Sequence, residues 1–159
     1  MSNVEQYIDA VRQCAQQCRQ MLALEHDKRL ALVNNEGSKI QHVISQQQAA
    51  LMQLETLEKR RIEIQECMGI DGSATAQKVL ERLPQGKEKE KLSKAIAELT
   101  ANATELRRQN KDNLELARLD LQIIESLQNR NNAYPTDAGV YRPGKSAPTA
   151  LKKKFDGSF

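Results

Sequence analysis

The side chains best equipped for chemistry in this sequence are three cysteines and two histidines. Cys14 and Cys18 are four apart, on one face of any helix that contains them; Cys67 lies far along the chain. Zinc sites commonly take paired cysteines from turns. Here the cysteines fall inside continuous helical patterns, and an antiparallel hairpin would carry His26 and His42 toward the end opposite Cys67. The expectation is small buried thiols, surface or seam histidines, and no metal or other cofactor. The sequence has no glycine-rich phosphate loop, no H-E-x-x-H and no G-x-S-x-G, so neither catalytic residues nor an enzyme are expected.

The other reactive groups are charges on helical seams. Glu25 and Arg29 are four apart and can pair on one face. Glu58 falls on a seam, with Arg61 one turn later. These two can pair with each other, bond to the first helix, or form a solvated pair at the bundle edge.

Helices must position all of these groups. Aromatic residues are 3%, Trp is absent and charged residues are 28%, which suits a slim Leu/Ile/Ala seam better than an α/β enzyme or a β-sandwich. No period-2 run argues for a sheet. Ser2 or Asn3 can cap a first helix that carries Val4, Tyr7, Ile8, Val11, Cys14, Ala15, Cys18, Met21 and Leu22, and ends at Val33. Asn34 can close it in the left-handed conformation, and Asn35 or Ser38 can cap the next helix. The second helix places Ile40, Val43, Ile44, Gln47, Leu51, Leu54, Leu57, Ile62 and Ile64 inward, and the short turn makes the two antiparallel neighbours. Asp71 and Ser73 are candidate caps for a short helix from about Ala74 to Leu83, which Pro84 stops.

The last helix, about Lys87 to Asn131, contains no Gly or Pro and would be roughly 65 Å long. From Leu92 to Leu106 its large apolar residues stay within an arc of roughly 100°, enough for one seam. From Leu114 onward Leu116, Leu119, Ile123 and Leu127 widen the arc to about 220°, broken by Asp120. Such a surface needs neighbours from this chain, a second copy or a partner. The fold expected is all-α: an elongated antiparallel helical bundle of three long helices and one short one over 1–132, followed by a flexible tail, 133–159.

Residues 1–133 carry equal numbers of basic and acidic side chains, so the net charge of +3 lies in the tail. A neutral body argues against a nucleic-acid binder. The N-terminal residues lack the apolar h-region of a signal peptide, and no window has the ~18 apolar residues of a membrane span. With an odd number of cysteines, a reducing cytoplasm is the expected location, with no stable membrane insertion. The tail holds Tyr134, Tyr141, Phe155 and Phe159, unusual for a solubilising appendage and suggestive of docking.

Several patterns resemble the FlgN family of flagellar export chaperones. They are Leu22-x-x-Glu25-x-x-Lys28-x-x-Ala31-Leu32 ending the first helix, and Leu54-x-x-Leu57-Glu58-x-x-Arg61 in the second. A short helix ending Leu83-Pro84, a long last helix with Asn110 and Asn113, and a tail beginning Tyr134-Pro135-Thr136-Asp137-Ala138-Gly139 complete the order. The tail beyond Gly139 is longer and more basic than the family pattern. The resemblance implies a cytosolic, non-enzymatic chaperone, a monomer or weak dimer. It would bind the C-terminal helical segments of the hook–filament junction proteins FlgK and FlgL and bring them to the export gate FlhA. Leu116, Leu119, Ile123 and Leu127 are the candidate cargo surface, because of the widened arc. Tyr134, then Tyr141, are the candidate gate anchors, because similar chaperones use a tail tyrosine there. The competing readings are a structural coiled-coil adaptor that self-associates through the same arc, and a tether acting through Lys152–Lys154.

Overall fold

The computed structural model describes residues 1–131, which form four helices: α1 (Asn3–Val33), α2 (Gly37–Cys67), α3 (Ala76–Arg82) and α4 (Lys87–Asn131). The tail from 133 onward, with Tyr134 and Tyr141, lies outside the described residues. The all-α bundle of three long helices and one short one is the observed architecture.

Local chemistry explains where the helices begin and end. Ser2 caps α1: its Oγ accepts from Glu5 N–H (3.2 Å), and Glu5 Oε2 accepts from Ser2 N–H (2.9 Å). This reciprocal pair satisfies two donors that a helix start leaves free. That bond to the Ser2 backbone also holds the Glu5 carboxyl below its usual range. At the other end of α1 the left-handed residue is Asn35 (φ 53°), not Asn34 as the sequence suggested. Glu36 N–H bonds back to Ala31 O (3.0 Å) and Asn35 N–H to Leu32 O (3.2 Å). These are the two bonds of a Schellman motif, which needs its left-handed residue one position past the C-cap. Glu36, rather than Asn35 or Ser38, then precedes α2, with no side-chain cap. α2 closes in the same way on Gly69 (φ 76°), and Ile70 N–H reaches Gln65 O. The third helix is shorter than expected: Thr75 caps it by accepting from Lys78 N–H. Asp71 instead holds the turn, its Oδ1 accepting from Ser73 N–H and Oγ, both at 2.8 Å.

α1 is the central helix, packed along both α2 and α4. Tyr7 meets Gln65 and Gln17 Nε2 donates to Ala50 O (2.9 Å), so α2 runs antiparallel to α1. Asn102 Nδ2 donates to Ala15 O (3.0 Å) and Asn113 Nδ2 to Glu25 O (2.8 Å), so α4 runs back up beside α1 in the same direction. This register puts the end of α1 level with about Leu121. About ten residues of α4 therefore continue ~15 Å beyond it.

The apolar interior has two parts. The larger holds Tyr7, Val11, Cys14, Cys18 and Met21 of α1, Leu54 of α2, Val79 and Leu80 of α3, and Leu92, Leu99, Ala103 and Leu106 of α4. The smaller consists of Ala31, Leu32, Ile40 and Ala117, with Ile44 and Leu116 packed against them.

Candidate functional site

Between the two apolar clusters lies a layer of buried polar side chains contributed by all three long helices. Glu25 and Lys28 come from α1, Gln47 from α2, and Asn110 and Asn113 from α4. The Glu25 carboxylate is 1% exposed and is surrounded by amide donors. Gln47 Nε2 (2.7 Å) and Asn110 Nδ2 (3.0 Å) donate to its Oε1, and Asn113 Nδ2 donates to its Oε2 (2.7 Å). This replaces the Glu25–Arg29 pairing that the spacing suggested. Glu25 turns inward, whereas Arg29 is exposed and makes no ion pair among the described residues. Burial lowers the Lys28 pKa below the usual lysine range, with Glu25 as the opposing influence. Asn113 Oδ1 is buried without a hydrogen-bond partner.

A second polar cluster ties the opposite end together. Arg61 Nη1 donates to Tyr7 Oη (3.1 Å) and Gln65 Oε1 (3.3 Å), and Gln65 Nε2 donates to Asp71 O and Ala74 O. Glu58 and Arg61 are 5% and 3% exposed, which overturns the solvated-edge alternative: Arg61 bonds to the first helix. Burial raises the Tyr7 phenol above its ordinary value.

Both clusters bond helices to one another. Burial pushes the Cys18 thiol up to about 12, the wrong direction for a nucleophile or metal ligand. Cys14 is also buried and Cys67 exposed. His26 and His42 are exposed. Among the described residues no group of three or more His, Cys, Asp or Glu is placed to hold a metal. No described helix is long and apolar enough to cross a membrane.

An exposed apolar stripe lies toward the outer end of α4. Leu119, Ile123 and Leu127 are 55%, 57% and 50% exposed. At ~100° per residue they share an arc of roughly 80° with Leu116, centred about 110° from the line of Leu99, Leu106 and Ala117 that faces the core. The wide arc foreseen in the sequence thus resolves into two stripes, one covered by α1 and α2 and one open. Leu116 joins them: it is half-buried against the smaller cluster. Val33, 60% exposed, ends α1 at the same level. An open cleft of about 440 Å³ lies between α1 and α2 at this end, lined by Leu30, Ala31, His42 and Val43. Another of about 330 Å³ lies between α1 and α4 at the level of the polar layer, lined by Glu25, His26, Arg29, Arg108 and Asn113.

The polar layer was not foreseen as a unit. Its signal is present in the seams, where Glu25, Gln47, Asn110 and Asn113 stand at positions otherwise filled by apolar residues. The model of the family described as FlgN protein matches residues 1–149. No curated protein and no solved structure matches the chain. The family match covers most of the chain's length: the chain belongs to the FlgN family of flagellar export chaperones.

Proposed function

We propose that this chaperone binds the C-terminal helical segments of FlgK and FlgL, keeps them from assembling early and delivers them to FlhA. The observation that carries this reading is the open stripe of Leu119, Ile123 and Leu127 on the flank of α4 turned away from the core. A cargo segment that becomes a helix on assembly has an apolar face to hide beforehand. A helix with a surplus apolar flank can cover it, as in helix-in-groove recognition. Tyr134, and Tyr141 after it, supply the anchor for FlhA, each combining an apolar ring with a hydrogen-bonding hydroxyl. The cytoplasm is the compartment where this handover takes place.

Calorimetric titration with the FlgK and FlgL C-terminal segments tests the cargo step. Saturable binding by a monomeric chaperone supports it. Absence of heat with both segments removes it. A stable dimer in sedimentation would favour the coiled-coil adaptor, with the stripe as its seam. For the tail, Tyr134→Ala should reduce recovery of FlhA by the loaded complex, and unchanged recovery with both tyrosines replaced ends that part of the reading.

A further inference from the structure

We infer that the partner helix docks in a wedge formed when the outer cluster of the bundle opens at the polar layer, rather than on the exposed stripe alone. This inference rests on the cargo-binding reading above.

The first ground is area. Leu119, Ile123 and Leu127 each expose about half their surface, and Val33 somewhat more. Together they offer on the order of 400 Å², about half of the ~800 Å² that one side of a specific interface buries. The missing surface lies next door. Ala31, Leu32, Ile40 and Ala117 are 2–4% exposed, with Leu116 continuing directly into the stripe.

The second ground is that this neighbouring cluster is weakly held. Two of its four buried residues are alanines, and it is separate from the main core. A cleft lined by Leu30, Ala31 and Val43 lies between α1 and α2 here, so packing is open on that flank. Low density of buried apolar contacts marks regions that open before the rest of a fold.

The third ground is the layer itself. Glu25 bonds to α2 through Gln47 and to α4 through Asn110 and Asn113. Opening past this level would strand a buried carboxylate and three amides; opening short of it breaks none of those bonds. The layer therefore sets how far the ends of the α1–α2 hairpin and α4 can part. The occupant is one amphipathic helix. Its apolar face covers Leu119, Ile123 and Leu127 and replaces the contacts between Leu32 or Ile40 and Ala117.

Two measurements decide this. Hydrogen exchange on the free protein should give residues 28–44 and 115–128 protection at least tenfold below residues 7–21 and 92–106. Uniform protection across the layer would overturn the inference, whatever the cargo does. In a Cys67→Ser background, Ala31→Cys with Ala117→Cys should close the wedge by a disulfide. Oxidised protein should bind the FlgK C-terminal segment at least tenfold more weakly than the same protein reduced. Equal affinity in both states would show that the exposed stripe suffices and would overturn the wedge. Failure of the wild-type protein to bind any junction-protein segment would defeat the cargo reading and the wedge's occupant with it. The exchange profile would still report whether the outer end opens.

Discussion

Replacing Glu25 with alanine should be among the most damaging single changes in the bundle. The carboxylate accepts hydrogen bonds from Gln47, Asn110 and Asn113, all in surroundings 1–8% exposed. Removing it leaves three amide groups without their acceptor, and each such buried group costs about 1–3 kcal/mol. It also removes the carboxylate whose charge favours the protonated form of the buried Lys28. Water entering the vacated space offsets part of this, so the expected loss is about 3–5 kcal/mol. A domain of this size has about 5–15 kcal/mol in total, so the variant should unfold at a visibly lower urea midpoint. Arg29→Ala is the control, because Arg29 is exposed and makes no ion pair among the described residues; it should change stability by less than ~0.5 kcal/mol. Urea unfolding followed by helical circular dichroism gives both values. If Glu25→Ala stays within ~0.5 kcal/mol of wild type, the bonds around Glu25 do not hold the three helices together, and the reasoning about the layer fails.

Two further outcomes follow from burial. The lowered pKa of Lys28 means the unfolded chain binds more protons there between that lowered value and 10.5, so stability should rise with pH through that interval and level off above it. Lys28→Met should abolish this rise on the approach to pH 10.5 and be neutral or stabilising by about 1 kcal/mol at pH 7; a variant several kcal/mol less stable would show that the charge is needed. With a thiol reagent under native conditions, Cys67 should react promptly while Cys14 and Cys18 wait for unfolding, and rapid reaction of all three would contradict their burial.

The helices were legible in the sequence because their signals are local and repeated. The apolar period, Pro84 and the turns near 34–38 and 69–73 each mark an element without reference to any other. The boundaries of α4 match the expected Lys87 to Asn131. Single caps were less legible. Asn34 and Asn35 are adjacent and alike, and only the bond from Glu36 N–H to Ala31 O decides which takes the left-handed conformation. The polar layer was illegible for a different reason. Glu25 with Arg29 is a plausible surface pair on one helix, and its true partners are 22 to 88 residues away. The apolar stripe on α4 was legible as excess surface, but not its division. That Leu116 is half-buried while Leu119 is open depends on which face of α4 meets the other helices, since Leu119 is turned farther from the core-facing line.

The central claim is that the open flank of α4 is a binding surface and not part of the core. It is tested by Leu119→Asp combined with Ile123→Asp, in the two residues that are 55% and 57% exposed. Burying two aspartates against an apolar partner helix costs at least ~3 kcal/mol, so affinity for the FlgK and FlgL C-terminal segments should fall more than 100-fold. The urea midpoint should barely move, since the substituted side chains face solvent in the free protein. Affinity within threefold of wild type, or a loss of stability as large as that expected for Glu25→Ala, would contradict the account.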